Sequence, residues 1–305
     1  MAKFSTLECS RKTCERIGPD LYTILEPTLT DQFRSERCEG TMRVTALGVW
    51  THSFAGPTTS FYIEYENARI LLDTGIDPIN RMRTFGITPF SCSHLFISHL
   101  HSDHSSGFSN FVFTRELLGR ATKDGAAPLT VFGAEAVLSG CKSLLALQYP
   151  DRKFRINWMV LPDRTEIELI GGVTATILPT VHSVECYACR LSSSGIDIGF
   201  TADTAPFEDM VGFFADCTVL IGEAFAPESA GGKDVNKRGH STAEDLGRLV
   251  AACSPQWVIP FHFGPECAER STRNKFLESC GGNSAVVIDP IASPTLSLGD
   301  SESFS

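Results

Sequence analysis

The sequence contains no long apolar run, no basic stretch and no regular cysteine spacing. A membrane-spanning helix needs about 20 predominantly apolar residues, and none of the 305 residues belongs to such a run. The short groups of cations, such as Lys233 to Arg238, hold only three, and the net charge is −10. Proteins that bind nucleic acid usually carry a basic surface. The sequence therefore excludes a membrane span and argues against nucleic acid as the main partner.

The cysteines do not form a disulfide framework. There are 11 of them, an odd number, at irregular spacing. No apolar run follows Met1 to Ser5, as it would in a secretory signal. Free thiols and the lack of a signal predict a reducing, cytoplasmic location.

The predicted elements are in the order of a layered α/β protein. From Met42 the pattern is β, with a hairpin around the turn Glu66-Asn67, and later strands alternate with helices. Ser241 and Glu244 have the spacing of a capping box at the start of one such helix. We predict an N-terminal extension over 1–41, one domain over 42–290 and a flexible polar tail over 291–305.

One short stretch concentrates metal-binding side chains. His99, His101, Asp103 and His104 lie within six residues, directly after the apolar run 94–98. Imidazole and carboxylate are preferred ligands of zinc and similar divalent ions. An unpaired cluster of this kind is costly to bury without a cation, so the stretch predicts a metal site.

Three further candidate ligands follow predicted strands elsewhere in the chain. His182, Asp203 and His262 each lie just past a strand end. In layered α/β folds the strand-end loops gather at one edge and build the site. A lone buried histidine is more often a core residue, and we read His94 that way. Seven donors exceed one tetrahedral ion and suit two ions with a bridging carboxylate and a bridging water; they are His99, His101, Asp103, His104, His182, Asp203 and His262.

The motif His99-Leu-His-Ser-Asp-His104, with Asp73 after the hairpin, resembles the signature of the metallo-β-lactamase fold superfamily. Over roughly residues 43–290 the chain is most similar to the ribonuclease Z-like branch. The resemblance implies an α/β fold, a four-layer αββα sandwich with the metals at one edge. The segments that carry it are Pro57-Thr-Thr-Ser60, Pro128–Gly133, Thr201–Thr204, Glu223-Ala-Phe225, Gly239–Thr242 and Phe261-His-Phe263.

The resemblance also implies how the ligands are shared. His99, His101 and His182 would hold one ion; Asp103, His104 and His262 would hold the other; and Asp203 would bridge them. Asp73 would orient the ligand loop through hydrogen bonds. Zinc is the expected metal, with manganese or iron as alternatives.

The implied reaction is hydrolysis by a hydroxide bound to the dinuclear centre. Asp103 can orient that hydroxide as well as ligate. His240 is the candidate proton donor, and Glu223 can pair with it and select its tautomer. The alternatives are structural: His240 as a loop residue before a capped helix, and Glu223 as a salt-bridge partner.

The chain departs from tRNA-processing members of the branch. Residues 133–182 are accounted for by a helix and strands, with no basic flexible arm, and Gly222 stands where those members place His. We therefore expect a phosphodiesterase-like hydrolase of a small molecule, with tRNA 3′-processing less favoured. Alternatives are hydrolysis of a lactone, thioester or β-lactam-type amide, an aryl or alkyl sulfatase, and a metal-bound sensor without turnover. The branch is often dimeric, which leaves a homodimer open.

The sequence assigns no substrate-binding residue. Phe54, Phe108, Phe207, Phe225 and Phe263 lie near the site segments and serve either core packing or an apolar pocket. His52, in the first interstrand loop, is either at the pocket rim or an ordinary loop residue.

Overall fold

The computed structural model describes residues 42–65, 68–120, 127–230, 232–268, 270–282 and 285–298. The predicted N-terminal extension, 1–41, lies outside these residues. Within them, no helix is long and apolar enough to cross a membrane.

The first sheet has seven strands in the spatial order β14-β1-β2-β3-β4-β5-β6. The pairs from β14 to β3 are antiparallel, and those from β3 to β6 are parallel. The strands are β1 (Met42–Gly48), β2 (Ser60–Tyr65), β3 (Ala68–Leu72), β4 (His94–Phe96), β5 (Leu129–Gly133), β6 (Ile156–Val160) and β14 (Thr295–Leu298).

The second sheet repeats this plan, in the order β13-β12-β11-β10-β9-β8-β7. Its pairs from β7 to β10 are antiparallel and those from β10 to β13 are parallel. The strands are β7 (Ile167–Ile170), β8 (Val173–Pro179), β9 (Tyr187–Ser193), β10 (Ile196–Phe200), β11 (Val219–Glu223), β12 (Trp257–Phe261) and β13 (Val286–Val287).

The two sheets face each other and the helices pack on their outer sides, which confirms the predicted four-layer αββα sandwich. Phe61 of β2 contacts Phe200 of β10 and Phe261 of β12, with ring centroids 6.0 and 5.7 Å apart. The helices are α1 (Pro78–Thr84), α2 (Ser102–Ser105), α3 (Phe108–Gly119), α4 (Glu135–Gln148), α5 (Asp209–Phe213), α6 (Gly232–Lys237), α7 (Ala243–Cys253) and α8 (Arg270–Cys280).

Strand ends bring the candidate ligands to one edge of the sandwich. Asp73 follows β3, and the ligand stretch from His99 follows β4; in the second sheet Asp203 follows β10 and His262 follows β12. Asp73 and His262 have positive φ angles of 54° and 65°. Left-handed backbone is unfavourable for non-glycine residues and is concentrated at functional sites. The chain therefore turns sharply where the polar side chains must converge.

The predicted capping box of α7 is wrong by one residue. The N-cap is Thr242, whose hydroxyl accepts from the amide of Asp245, and the Asp245 carboxylate accepts from the Thr242 amide. Ser241 is engaged elsewhere: its hydroxyl donates to the Thr204 carbonyl, 2.7 Å away, and its amide to Glu223. The serine belongs to the site, so the next hydroxyl residue caps the helix.

The prediction of a flexible tail over 291–305 is wrong for Thr295–Leu298. This segment forms β14 and pairs antiparallel with β1, where Met42 lies opposite Leu298. Leu296 is buried. β14 pairs with the outer side of β1, which would otherwise present unpaired backbone groups.

Gly222 lies in tight contact with a neighbouring helix, which leads to a test of stability. A Cβ at Gly222 would lie 2.2 Å from Cδ1 of Leu246, a buried residue of α7. We expect Gly222→Ala to lower the free energy of unfolding by about 1–3 kcal/mol, as overpacking does, measured by urea denaturation.

A matched control is Gly212→Ala, because Gly212 lies in α5 with no atom within 4 Å of a built Cβ. This control should leave stability unchanged or raise it. Adding Leu246→Ala to Gly222→Ala should relieve the overpacking, so strictly additive losses would contradict the explanation.

Candidate metal centre

Asp73, which is fully buried, holds the ligand stretch in place through hydrogen bonds. Its Oδ1 accepts from the Ser98 amide, and its Oδ2 accepts from the Ser98 hydroxyl and from His104 Nδ1, each at 2.7 Å. Because the Ser98 hydroxyl gives its proton to Asp73, its oxygen accepts from His99 Nδ1, 3.0 Å away. This network assigns a proton to each Nδ1 atom and directs Nε2 of His99 and His104 into the centre.

Two histidines from the second half of the chain are held in the same way. His182 Nδ1 donates to the Gly239 carbonyl at 2.8 Å, and His262 Nδ1 donates to Glu223 Oε1 at 2.9 Å. Their Nε2 atoms therefore also face the centre. An outward hydrogen bond that fixes tautomer and ring orientation is the usual accompaniment of a metal-binding histidine.

The inward nitrogens meet at the carboxylate of Asp203, which is buried. Asp203 Oδ2 lies 3.7 Å from His99 Nε2, 3.8 Å from His182 Nε2 and 3.1 Å from His262 Nε2. Asp203 Oδ1 lies 3.2 Å from His104 Nε2. Asp203 thus contacts both predicted ligand sets, the position that a bridging carboxylate requires.

The two remaining candidate ligands complete the sets. His101 Nδ1 lies 3.0 Å from His182 Nε2, and Asp103 Oδ2 lies 3.1 Å from His262 Nε2. The side chains of His101 and Asp103 are partly exposed. The side chains of the other five candidate ligands are buried, including that of His182. The centre therefore opens to solvent on the side of His101 and Asp103.

The donor geometry fits divalent ions. Two groups of donor atoms, each within 4.8 Å of one another, match the predicted sets: His99, His101, His182 and Asp203, and Asp103, His104 and His262. Ligand atoms on one tetrahedral zinc lie roughly 3.3 Å apart, given bonds of about 2.0–2.1 Å. In the part of the chain that the structure describes, the buried polar atoms without a hydrogen-bond partner include His99 Nε2, His104 Nε2 and Asp203 Oδ1. Facing lone pairs of this kind need a cation between them.

The pKa directions within the cluster support this need. Burial, together with the neighbouring His104, lowers the pKa of His99 well below its usual value. Burial also disfavours the charged form of His262, but Asp203, Asp103 and Glu223 outweigh it and raise the pKa to about 10. The carboxylates thus attract positive charge into a site where other imidazoles resist protonation.

Glu223 joins the metal cluster to the candidate proton donor. Its Oε1 accepts from Nδ1 of His240 at 2.6 Å and from Nδ1 of His262, and its Oε2 accepts from the amides of Thr204 and Ser241 at 2.6 and 3.2 Å. Four hydrogen bonds use the lone pairs of this buried carboxylate. Glu223 is near enough to other donors to form a third possible metal group, but its oxygens are already occupied by these bonds.

The structure brings all ten predicted site residues together at one edge. Sequence reasoning paired Glu223 with His240 but missed its second bond to His262. It also missed Ser98, which connects Asp73 to His99, and Gly239, whose carbonyl holds His182. Ser98 and Gly239 each lie next to a predicted site residue, and that adjacency was the available signal.

The five phenylalanines near the site segments have different environments. Phe108 and Phe263 are buried in the core, and Phe54 is exposed. Phe207 lines a cavity of about 230 Å³ beside Glu223. Phe225 lies against His240, with ring centroids 4.9 Å apart. The interpretation as core residues is therefore confirmed for Phe108 and Phe263, and Phe225 contacts the site directly.

The contacts of Asp73 generate a test that needs no substrate. In Asp73→Asn one carboxylate oxygen becomes an NH₂ group, which cannot accept from Ser98 and His104. We expect metal affinity to fall about 10–100-fold, the usual cost of removing such a partner, measured by competition with a chromophoric chelator. The control Asp77→Asn changes an exposed N-cap of α1 and should keep the wild-type affinity; equal affinities for all three proteins would contradict the role of Asp73.

Comparison with known proteins places this geometry in a family. Residues 68–263 match the family model described as "Beta-lactamase superfamily domain". The chain is similar to a ribonuclease Z of Pyrobaculum aerophilum, with 26% identity over 67% of this chain and 79% of that protein. The crystal structure of the metallo-β-lactamase fold protein YhfI from Bacillus subtilis matches with a TM-score of 0.70 and 17% identity, over 85% of this chain and 99% of that one.

A diphosphatase from the PhnP family also has this fold, with a TM-score of 0.64 and 15% identity, over 85% of this chain and 97% of that one. The family match covers more than half of the chain. It spans Asp73, the ligand stretch, His182, Asp203 and His262, the residues that build the centre described above. The chain is a metallo-hydrolase of the β-lactamase superfamily, with ribonuclease Z among its relatives.

Proposed function

We propose that the protein is a metal-dependent hydrolase that cleaves phosphodiester bonds in a small molecule. The observation that carries the proposal is the bond between His240 Nδ1 and Glu223 Oε1, 2.6 Å long, directly beside the metal-ligand cluster. A metal centre alone suffices to activate water. A buried carboxylate that also aligns a separate imidazole is the arrangement expected where a poor leaving group must be protonated.

The donor set of imidazole and carboxylate favours zinc, with manganese or iron as alternatives. When bound, two such ions supply a water of lowered pKa and polarise the scissile group. Asp103, whose side chain is 17% exposed, is placed to orient the attacking water. Glu223 accepts from His240 Nδ1, which leaves Nε2 as the atom that exchanges a proton with the leaving oxygen.

The charge of the chain favours a small substrate over tRNA. A net charge of −10 opposes the many phosphate contacts on which tRNA binding depends. Residues 133–182 run through α4, β6, β7 and β8 with short connections, which leaves no room in this segment for a long basic arm. The names of two similar proteins, a ribonuclease and a diphosphatase, are consistent with phosphoester chemistry.

A substrate panel tests the reaction class. Metal-replete protein is assayed with a bis-aryl phosphate, an aryl sulfate, a lactone and an acyl thioester, and we expect kcat/KM to be highest for the phosphate diester. Preferential cleavage of the lactone or thioester would replace the proposal with carbon-ester hydrolysis, and preferential cleavage of the sulfate with a sulfatase. If none is cleaved and EDTA changes only the thermal stability, the protein is a metal-bound protein without turnover.

Metal analysis tests the centre itself. We expect two divalent ions per chain, and Asp203→Ala should lose both because this carboxylate contacts both ligand sets. His52→Ala, which changes a histidine in the loop after β1, is the matched control and should keep two ions. A single ion in the wild-type protein, or two ions in Asp203→Ala, would overturn the bridging assignment.

The proton donor has its own test. His240→Ala should lower kcat about 10²–10⁴-fold for a phosphate diester with an alkyl leaving group, the usual contribution of general acid catalysis. A 4-nitrophenyl leaving group needs little protonation, so its loss should be much smaller. The metal content should stay at the wild-type value, and equal losses for both leaving groups would argue against proton donation.

A further inference from the structure

The side chain of Phe225 lies against both imidazoles that Glu223 holds. Its ring centroid is 4.9 Å from that of His240, with the planes 27° apart, and 5.8 Å from that of His262, with the planes 53° apart. The two imidazoles are themselves nearly parallel, 5.1 Å apart at 26°. Phe225 is only two residues after Glu223, so the end of β11 supplies both the acceptor and the stacking ring.

These two contacts restrain different motions of His240. The hydrogen bond from Nδ1 to Glu223 fixes one atom, but the ring can still pivot about the line of that bond. A parallel aromatic face fixes the plane of the ring. Together they define where Nε2 of His240 lies, and proton transfer depends steeply on that position.

Arg238 also contacts the ring of Phe225. Its guanidinium carbon lies 5.1 Å from the centroid of Phe225, a cation–π contact. Arg238 Nε donates to the carbonyl of Asp234 at 3.3 Å, which ties the cation to α6.

Gly239 makes this arrangement possible, because it separates Arg238 from His240 by a turn with φ of +82°. A Cβ at Gly239 would lie 2.8 Å from Cα of His182. The turn therefore lets the guanidinium and the imidazole both contact the ring of Phe225.

The backbone of Phe225 is held on both sides. Its amide donates to the Ser241 carbonyl, and its carbonyl accepts from the Gly264 amide, each at 2.8 Å. A Cβ at Gly264 would lie 3.2 Å from Cε1 of the Phe225 ring, so little space is left on that side. The ring is thus anchored before it meets His240.

We propose that Phe225, which stacks on His240 and contacts Arg238, is a positioning residue that sets the plane of the His240 imidazole for proton donation to the leaving group. This inference rests on the proposed function, in which His240 protonates the leaving oxygen. The proton moves from Nε2 of His240 to that oxygen as its bond to phosphorus breaks, and Phe225 takes no part in the exchange.

The kinetic test compares Phe225→Leu with Phe225→Tyr in the metal-replete full-length protein. With an alkyl leaving group, Phe225→Leu should lower kcat about tenfold, a fraction of the 10²–10⁴-fold contribution of a general acid, with KM and metal content unchanged. With a 4-nitrophenyl leaving group the loss should be less than about twofold, because protonation matters little there. Phe225→Tyr keeps the aromatic face and should restore the wild-type rate.

A double-mutant cycle separates positioning from general damage. In the His240→Ala background, Phe225→Leu should cause no further loss, because the group that it positions is already absent. Additive losses, or equal losses with both leaving groups, would overturn the proposal. Arg238→Gln removes the cation that contacts Phe225. It should also lower kcat for the alkyl leaving group, by less than Phe225→Leu does.

A second readout does not depend on activity. In the metal-free protein, the carbon-bound protons of the His240 ring should show ring-current shifts in NMR spectra, which disappear in Phe225→Leu and persist in Phe225→Tyr. Unchanged His240 shifts in Phe225→Leu would contradict the proposed stacking of Phe225 on His240. If the wild-type protein cleaves no phosphodiester, the proposed function fails, whereas these shifts still decide whether Phe225 sets the His240 plane.

Discussion

The buried ring nitrogens gathered around Asp203 are the constraint on which the rest of this structure depends. His99, His104, His182 and His262 each use one ring nitrogen in an outward hydrogen bond, so the other nitrogen points toward the carboxylate of Asp203. Burying such groups without a positive charge is strongly unfavourable. The outward bonds prevent the rings from turning away, and the cluster therefore keeps the geometry of a cation site.

The fold provides those outward bonds from both sheets. Asp73 follows β3 and holds the ligand stretch of the first sheet, whereas Glu223 ends β11 and holds His262 of the second. The contacts of Phe61 with the facing sheet keep the two halves in register. Neither half contains a complete ligand set, because Asp103 and His104 come from one sheet and His262 from the other. Packing of the sheets and formation of the centre are thus one event, which links metal binding to folding.

The fold and the spatial grouping of the candidate ligands were predictable because they rest on local patterns. The His99 to His104 stretch is dense, and parallel strands bring their carboxyl ends to one edge, so His182, Asp203 and His262 could be placed from strand order alone. The errors concern partners far apart in the chain. Ser241 was predicted to cap a helix, but its hydroxyl donates to the carbonyl of Thr204. The segment Thr295–Leu298 was predicted to be flexible, but it pairs with β1 as a strand. The bond between Glu223 and His262 spans 39 residues, and no local pattern encodes it.

The shared carboxylate of Glu223 is the physical basis for proposing a substrate with a poor leaving group. A carboxylate bonded only to His262 would orient a metal ligand, and one bonded only to His240 would hold a loop. Glu223 does both through the same oxygen, with bonds of 2.9 and 2.6 Å, from a buried strand end whose Oε2 is fixed by two backbone amides. The imidazole of His240, the proposed proton donor, is therefore placed relative to the candidate metal ligands by the end of a strand and not by loop conformation alone. Activated esters react without such a donor, so the fixed position of His240 supports the proposal of a substrate whose leaving oxygen must be protonated as its bond breaks.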